Sequence, residues 1–455
     1  MARSYLPVLK WNSLEEAMIK LNSVFDISGF GADPTGVLVS TDAITQALCE
    51  CKKAGGGTVF IPAGIFLTGP LCMESNTVLY ISAGAKLVFV QDQEAYPVIN
   101  TRWEGSERQA RTPCIYGKGL ENVTIAGPGE LDGQGAYWWN LFKTGGLKYP
   151  RPRFIGLEDC RHVVIEGVRL LNSPSWTINP VCCENVTIDK VSIKNPADSP
   201  NTDGINPDSS KYVHISNCHV DVGDDCITIK SGTEKSSRSI SCEGITVTNC
   251  TLVHGHGGVV IGSEMSGGIR NVVISNCVFE GTDRGVRIKT RRGRGGFVED
   301  VRVSNLVMKG VMCPFVIHQF YFCGEGGKDA YVRDRRPQPV TVSTPFIRRI
   351  CLSDISAVDA TAAAGFIFGL PEAPVEDVRL SNIAVYMAKD CEPGMPAMMD
   401  GLEPMKARGF FCCNLKASAF DRVIVRGQEG PEYELINSNV LIDGKPAGSG
   451  TIIGD

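Results

Sequence analysis

The sequence predicts an all-β protein, a right-handed parallel β-helix with a short capping helix near its N-terminus. Three observations lead to this fold. A short motif recurs along the chain, mostly at spacings of 22 to 32 residues. Each copy alternates apolar and polar residues and is rich in Val, Ile and Thr, which is typical of a short strand. Polar residues that interrupt the repeats fall at common offsets, which a stack of layers about 4.8 Å apart would bring together.

The repeat has the form apolar, any residue, apolar. Its copies begin at Val123, Val163, Val186, Val213, Ile245, Val272, Val301, Ile350 and Val378. Gly, Asn and Asp punctuate the ends of the units as turns. A unit of this length holds two or three strands and no convincing helix, which favours a parallel β-helix. A β-sandwich is the competing fold, but it would not predict polar exceptions in register.

The cysteines fit the interior of such a coil. Among the 18 cysteines, Cys218, Cys250 and Cys277 occupy one repeat position. Because cysteine behaves as a small buried hydrophobe, a ladder of free thiols is favoured over disulfides. The cysteine spacings do not match a zinc site, and the sequence predicts no bound metal.

The chain is predicted to form one domain over residues 1–455, since a solenoid grows by adding layers and is not limited by the size of one core. An N-terminal cap is expected over about residues 1–60, with a helix over 42–53 that has apolar residues at helical spacing. The helix would protect the open end of the coil. An irregular cover is expected over about residues 391–455, where the repeat is no longer visible.

Composition and charge exclude several classes of partner. The net charge of -5 gives no general footprint for nucleic acid. No apolar stretch approaches the roughly 20 residues that a membrane span needs. The first ten residues lack the features of a secretory signal, so a cytoplasmic location is expected, or a secreted or periplasmic one if a signal has been removed. The oligomeric state is left open.

Chemistry-bearing residues share offsets across three repeats. Counting from the Asn-Cys pairs that begin at Asn217, Asn249 and Asn276 aligns four sets: Asp224 with His256 and Asp283, Asp225 with Gly257 and Arg284, Thr228 with Val260 and Arg287, and Lys230 with Gly262 and Lys289. In the preceding segment, Asp203 takes the slot of Asp225. If each repeat is one layer, these side chains converge on one face.

The predicted cluster of Asp203, Asp224 and Asp225 permits acid and base catalysis. Carboxylates so close repel one another, which keeps one protonated as a general acid while another stays ionised as a base. Glycoside hydrolysis with inversion needs such a pair about 6.5–9.5 Å apart. Arg287 and Lys289 would hold a substrate carboxylate, which indicates a uronic acid. Each motif alone is ordinary turn composition, and the common register is what favours a site.

Other side chains are weaker candidates. The basic run that follows includes Arg284 and Arg292, which are predicted to bind substrate, although charge runs are usually solvated loops. Trp138, Trp139 and Trp176 could stack on sugar faces or belong to the core.

Four motifs resemble those of the polygalacturonases, glycoside hydrolase family 28: Asn201-Thr202-Asp203, Gly223-Asp224-Asp225, Gly255-His256-Gly257 and Arg287-Ile288-Lys289. The resemblance implies a right-handed parallel β-helix that hydrolyses α-1,4-linked galacturonate with inversion, without metal or organic cofactor.

By the same resemblance, Asp224 is the general acid, while Asp203 and Asp225 activate the water. The remaining matches imply that Asn201 and His256 support that network, and that Arg287, Lys289 and a tyrosine bind galacturonate. Tyr321 is the candidate for that tyrosine.

The segments 262–268 and 290–296 resemble bacterial members of the family, many of which act on chain ends of oligogalacturonates. Residues 311–349 are expected to close one end of the cleft. Four alternatives stay open: a hydrolase directed at rhamnogalacturonan, one directed at unsaturated oligomers, a calcium-dependent pectate lyase, and a non-catalytic β-helix that binds acidic polysaccharide.

Overall fold

A computed structural model describes residues 23–447 and the strand Ile452–Ile453. The first 22 residues of the predicted N-terminal cap, and the start of the chain on which the predicted location depends, lie outside this range. The chain winds into a coil of parallel strands in three ladders. This confirms the predicted fold class.

The first two ladders form one continuous sheet that turns a corner. The first ladder contains Val24–Asp26, Gly57–Ile61, Thr77–Ile81, Glu121–Ala126, Arg161–Glu166, Glu184–Asp189, Lys211–Ser216, Cys242–Thr248, Ile269–Glu280, Phe297–Lys309, Phe346–Ala360, Val375–Met387, Leu415–Lys416, Ser418–Arg426 and Val440–Ile442. The second contains Thr35–Val39, Gly64–Thr68, Ala85–Phe89, Glu130–Asp132, Arg169–Leu171, Ser192–Lys194, His219–Val222 and Thr251–His254, and continues in the later halves of the long strands.

The third ladder carries the predicted site. It contains Leu71–Cys72, Ile115–Lys118, Ile155–Glu158, Ile178–Val181, Ile227–Ile229, Val259–Gly262, Arg284–Lys289, Cys313–His318, Ala363–Phe368, Arg408–Cys413 and Tyr433–Ile436. Single bridges at Ile205 and Asp208 join Ile178–Val181 to Ile227–Ile229.

Few elements lie outside the ladders. The helices are Thr41–Lys53, Gly135–Lys143 and Ala330–Arg333, with 3-10 turns at Ile27–Phe30 and Gln93–Ala95. Antiparallel pairs join Val98–Trp103 to Ser106–Arg111, Val440–Ile442 to Lys445–Ala447, and Tyr433–Ile436 to Ile452–Ile453.

The Asn-Cys pairs explain the corner between the first two ladders. Asn217, Asn249 and Asn276 adopt left-handed φ angles of 56°, 53° and 58°. Asparagine tolerates this conformation better than most residues, so the strand can bend there. The cysteine that follows each asparagine enters the core and is only 2% exposed. All 18 cysteines are free, and the three at the repeat position lie in the core as predicted.

The predicted helix over 42–53 is present as Thr41–Lys53. Its buried face, with Ile44, Ala47, Leu48 and Cys51, packs against the first turns of the coil. The coil nevertheless begins inside the predicted cap, because Val24–Asp26 and Thr35–Val39 already pair with later strands.

The irregular cover predicted from residue 391 is much shorter than expected. Strands Arg408–Cys413, Ser418–Arg426 and Tyr433–Ile436 continue the ladders in parallel. The repeat is hard to see in the sequence because aromatic residues fill these turns, with Phe410 packed against Tyr433 at 5.9 Å between ring centroids.

The apolar core runs from Ile27 to Ala447, and we propose on this ground that the chain forms a single domain. No helix within residues 23–447 is both long and apolar enough to cross a bilayer.

Both ends of the third ladder are covered on the outside. The hairpin of residues 98–111 lies over the early rungs, where Arg102 Nη1 donates to Asp208 Oδ1 at 3.2 Å. A second apolar cluster, which includes Phe366, Phe368, Ala397 and Met399, lies over the late rungs. Between these covers, a short stretch of the ladder faces a cavity.

Candidate active site

The register predicted from the repeats is confirmed. Thr228 pairs with Val260, Val260 pairs with Arg287, and Gly262 pairs with Lys289. The bridge between Ile205 and Ile227 places Asp203, two residues earlier, beside Asp225.

The predicted residues meet at a cavity of about 280 Å³ between the two covers. Six of them line it: Asn201, Asp203, Asp224, Asp225, Lys289 and Tyr321. Three separate turns of the coil and one loop therefore supply a single site.

The three aspartates are close enough to influence one another. One carboxylate oxygen from each of Asp203, Asp224 and Asp225 lies within 4.8 Å of the others. This closest approach is shorter than the separation of about 6.5–9.5 Å expected from the sequence, because adjacent rungs are only about 4.8 Å apart. Burial, followed by repulsion from Asp224, raises the pKa of Asp203 well above its usual range. Burial and repulsion from Asp225 raise the pKa of Asp224.

Asp225 is held as the ionised member of the group. Its Oδ2 accepts a hydrogen bond from Lys289 Nζ at 2.7 Å, and its Oδ1 accepts one from Arg287 Nη1 at 3.2 Å. Burial alone would raise the pKa of Asp225, but Lys289 and Arg287 together bring it below its usual value. The site thus divides its carboxylates into one ionised group and two that favour a proton.

Arg287 and Lys289 are placed differently from each other. Lys289 lines the cavity, whereas the Arg287 side chain is only 1% exposed. Both cations also face the ring of Tyr321, at 5.7 Å and 5.0 Å from its centroid. Arg287 therefore positions Asp225 and Tyr321 as well as lying beneath the cavity.

His256 is not among the residues that line the cavity, and its imidazole is anchored by a partner that sequence reasoning did not assign. Its Nδ1 is 2.8 Å from Asp283 Oδ2, and half of the side chain is exposed. The hydrogen bond to Asp283 raises the pKa of His256, and the negative charge of Asp224 acts in the same direction. The sequence did hold a signal for this contact, because Asp224, His256 and Asp283 share one offset in adjacent repeats.

Asn201 is fixed by a second arginine. Arg151 Nη2 donates to Asn201 Oδ1 at 2.8 Å, and its Nη1 donates to the carbonyl of Pro200 at 2.8 Å. Burial lowers the pKa of Arg151 to about 10. No repeat marks Arg151, so the sequence alone did not reveal it.

Arg284 and Arg292 do not line the cavity, contrary to the prediction that they bind substrate. Arg284 donates to the carbonyl of Met395 at 2.6 Å and to Asp283 at 3.1 Å, which ties down the cover over the late rungs. Arg292 is fully buried and forms a two-pronged ion pair with Glu372, at 2.5 Å and 2.9 Å. Its guanidinium is saturated by protein groups and has no donor left for a substrate.

Of the three tryptophans considered as sugar-stacking candidates, only Trp176 lines the cavity. Trp138 is fully buried beside Tyr96, so it belongs to the core. Trp139 donates from Nε1 to the carbonyl of Ser173. Trp176 lines the cavity and stacks on Trp103 with ring centroids 5.3 Å apart.

Sequence reasoning missed the walls of the cavity. Glu104, Ser106 and Arg108 come from the hairpin of residues 98–111, and Glu264 comes from the turn after Val259–Gly262. The hairpin is an insertion without repeat character, so no periodic signal could place it. Of the expected closing segment 311–349, residues 321 and 323–325 reach the cavity.

The basic side chains at 328, 333 and 335 lie apart from this cavity, around Asp400. Arg333 Nε pairs there with Asp400 Oδ2 at 2.6 Å.

A parallel β-helix that gathers aspartates on the outer face of one ladder, beside buried cations, has the architecture of a polysaccharide-cleaving enzyme. The sequence matches the model of glycosyl hydrolases family 28 over residues 51–391. The chain belongs to this family, the polygalacturonases, and is therefore a glycoside hydrolase.

Similar proteins come from plants and bacteria. A probable polygalacturonase of Vitis vinifera is 34% identical, over 80% of this chain and 74% of its own length. An endo-polygalacturonase of Pectobacterium carotovorum subsp. carotovorum is 33% identical, over 63% and 73%. The crystal structure of an exopolygalacturonase from Thermotoga maritima superposes with a TM-score of 0.75 at 28% identity and covers 95% of both chains.

Proposed function

We propose that this protein removes galacturonate from the ends of α-1,4-linked oligogalacturonates by inverting acid and base catalysis. The observation that carries the proposal is that walls close the cavity on the sides through which a long polymer chain would have to extend. Similar proteins include an exo-acting and an endo-acting enzyme, so overall similarity does not choose between the two modes.

The first wall is the hairpin of residues 98–111, which is tied to the loop after Ile227–Ile229. Thr233 N donates to the carbonyl of Gly105 at 2.8 Å, and Ser237 N donates to Glu107 Oε2 at 2.8 Å. Arg102 connects the hairpin to the same loop through Ser236 and to the ladder through Asp208. These bonds hold the hairpin across the groove on the side of the early rungs.

The second wall is the segment 321–325, which is tied to the same loop. Lys235 Nζ lies 2.6 Å from Glu325 Oε1, and Arg291 Nη2 donates to the carbonyl of Glu325 at 2.7 Å. Glu234 accepts from both Arg291 and Arg294. The two walls and the loop make a continuous rim, and an enclosed site favours chain ends over internal linkages.

Within the cavity, the pKa values of both Asp203 and Asp224 are raised, and Asp224 is proposed as the general acid because the resemblance to the family's motifs carries that role to its position. Asp225 is the base because its two cations keep it ionised, and Asp203 accepts a hydrogen bond from the same water. His256 and Asn201 position this group. Lys289, with Arg287 beneath it and Tyr321 beside it, receives a galacturonate carboxylate. The proposed reaction uses only these side chains and a water, without a metal or an organic cofactor.

Inversion is supported by the state of Asp225. Lys289 and Arg287 hold both oxygens of Asp225, which restrains this carboxylate from attacking the sugar carbon and leaves it to orient a water instead. This argument concerns the restraint on Asp225 alone, because the carboxylate oxygens lie closer together, within 4.8 Å, than the separation of about 6.5–9.5 Å usual for inverting enzymes. Proton NMR during turnover should then show the β-anomer of the product before mutarotation. Initial formation of the α-anomer would contradict this assignment.

Chromatography of the products from polygalacturonate and from trigalacturonate tests the mode of action. The proposal predicts monomer as the first product from both, with the long chain shortened slowly. A ladder of intermediate oligomers from polygalacturonate would instead mean internal cleavage.

The same samples discriminate the alternatives. A pectate lyase would give products that absorb as unsaturated uronates and would stop on chelation of calcium. A binding protein would release no reducing ends. Comparison with rhamnogalacturonan and unsaturated oligomers as substrates identifies the remaining two alternatives.

A further inference from the structure

A second cleft lies outside the catalytic cavity, and its volume is about 680 Å³. This outer cleft is lined by Lys328, Arg333, Arg335, Asp400 and Gly401. None of these five residues lines the catalytic cavity, and the proposed reaction does not use them. The volume falls within the range of about 300–1,000 Å³ that is typical of ligand sites.

The outer cleft adjoins the second wall of the catalytic cavity. Tyr321 lines that cavity and forms an antiparallel bridge with Met399, the residue before Asp400. Phe322, the next residue of the wall, has its ring centroid 5.9 Å from Lys328 Nζ. A chain that leaves the catalytic cavity over this wall would therefore meet the outer cleft next.

The two arginines of the outer cleft are fixed in place and keep donors to spare. Arg333 Nε lies 2.6 Å from Asp400 Oδ2. Arg335 Nη2 donates to the carbonyls of Asp400 and Gly401 at 3.2 Å and 2.9 Å. A guanidinium has five N–H donors, and within residues 23–447 the Nε and Nη1 groups of Arg335 donate to no protein acceptor. A positioned guanidinium with free donors is suited to bind a carboxylate.

Lys328 supplies the third cation of the outer cleft. Its side chain is exposed. In the part of the chain that the structure describes, its ammonium group lies near the ring of Phe322 and forms no ion pair. The fold therefore does not depend on the charge of Lys328, which leaves this charge available to a ligand.

The charge of the outer cleft differs from that of the whole chain. The net charge is -5, so a polyanion gains no general attraction and needs a local basic patch. Three cations and one carboxylate line the outer cleft. On the opposite wall, the hairpin tip carries Glu104 and Glu107 beside Arg108. On the wall next to the outer cleft, Glu325 is paired with Lys235 at 2.6 Å. A polyanion that extends beyond the cavity is thus attracted towards the outer cleft.

We infer that the outer cleft binds carboxylates of an acidic polysaccharide, and that it holds the part of a polygalacturonate chain that the catalytic cavity does not admit. This inference rests on the proposed function. The outer cleft is a non-catalytic site, so its loss should weaken the use of long substrates and leave the hydrolysis of short ones unchanged.

The test compares substrates of different length with a variant that removes two charges. Lys328→Gln/Arg335→Gln should raise KM on polygalacturonate by about 5- to 10-fold, as expected when two exposed charge contacts are lost. Its kcat and KM on digalacturonate should equal those of the wild type, because this substrate spans only the scissile bond. At about 1 M NaCl, where the Debye length is about 3 Å, the difference on polygalacturonate should disappear.

Arg336→Gln is the matched control. Arg336 belongs to the same segment and is 85% exposed, but it pairs with Asp334 at 2.8 Å and does not line the outer cleft. This variant should keep the wild-type KM on both substrates. If loss of the Arg335 hydrogen bonds prevents folding of the double variant, Lys328→Gln alone supplies the test, because Lys328 makes no ion pair within residues 23–447.

Binding is measured separately by fluorescence anisotropy with a labelled long oligogalacturonate. The Asp224→Asn enzyme is used so that the ligand is not consumed. Addition of the two substitutions in the outer cleft should weaken binding by the same factor by which they raise KM on polygalacturonate.

An unchanged KM on polygalacturonate or unchanged binding would overturn the inference. Equal losses on digalacturonate and polygalacturonate would overturn it too, since the substitutions would then act through the catalytic cavity. A wild type that hydrolyses neither substrate would refute the proposed function, and the binding measurement would still decide whether the outer cleft holds the polymer.

Discussion

Replacement of Arg102 by leucine should release the hairpin that encloses the active site. Arg102 lies in the hairpin of residues 98–111, and its guanidinium contacts Asp208 and Ser209 on the ladder, Glu107 in the hairpin, and Ser236 in the adjoining loop. No other cation forms an ion pair with Asp208 within residues 23–447. The substitution removes every one of these bonds at once.

The expected cost follows from the buried pair. Arg102 and Asp208 are 2% and 1% exposed in their side chains, at an N to O distance of 3.2 Å. Removal of one partner of a buried ion pair typically costs about 3–5 kcal/mol, since the other charge stays buried without compensation. That amount is enough to detach a peripheral hairpin from a solenoid, whose layers are stabilised mainly by their neighbours.

Two assays follow the consequence. Limited proteolysis should cut the variant within the hairpin, and chromatography of polygalacturonate digests should show oligomers beside the monomer. Arg161→Leu is the control, because its pair with Glu184 at 3.6 Å is exposed on the first ladder and such pairs contribute about 0–1 kcal/mol. That variant should behave as the wild type in both assays.

If protease cuts the hairpin of the Arg102→Leu variant while its products stay purely monomeric, the proposed role of the hairpin is wrong. In that case the hairpin would not be what restricts the enzyme to chain ends.

Three further predictions test other parts of the structure. Asp283→Asn should lower the pKa of His256 towards 6.5, which histidine-selective NMR titration measures. Since a raised pKa contributes stability below the unfolded value and loses it as pH rises through the folded value, the stability lost by this variant should be largest below about pH 6.5 and smaller at high pH, where only the lost pair of Asp283 with Arg284 still counts. Arg292→Met should lose about 3–5 kcal/mol by chemical denaturation, because Glu372 stays buried without its partner, while KM on digalacturonate is unchanged. Asn276→Ala should be less stable than Asn276→Gly by about 1–2 kcal/mol, because the left-handed turn at φ 58° penalises a Cβ atom; an equal loss in both would contradict the explanation of the corner.

Periodicity explains how much of the fold and site could be predicted. Asp225, Arg287 and Lys289 belong to regular rungs, so counting along the repeat was enough to bring them together. The same argument placed Asp203 two residues before a bridge between rungs. A parallel stack turns spacing in sequence into position in space, and few other folds allow this.

The parts that could not be predicted depend on contacts between distant segments. Arg292 lies in a basic run that predicted substrate binding. Its partner Glu372, however, is 80 positions away in a different turn of the coil. Arg102 comes from an insertion, and its partner Asp208 lies 106 positions away. Local patterns carry no information about such pairs, which decide whether a charged side chain faces a ligand or the protein.

The central claim is that Asp224 donates the proton to the leaving group inside the carboxylate cluster. The direct test is single-turnover hydrolysis of digalacturonate by Asp224→Asn, with binding measured on the same sample by calorimetry. The account predicts that hydrolysis falls by at least about 1,000-fold, since the amide supplies no transferable proton, while digalacturonate still binds. Hydrolysis at the wild-type rate by a correctly folded Asp224→Asn enzyme would contradict the account.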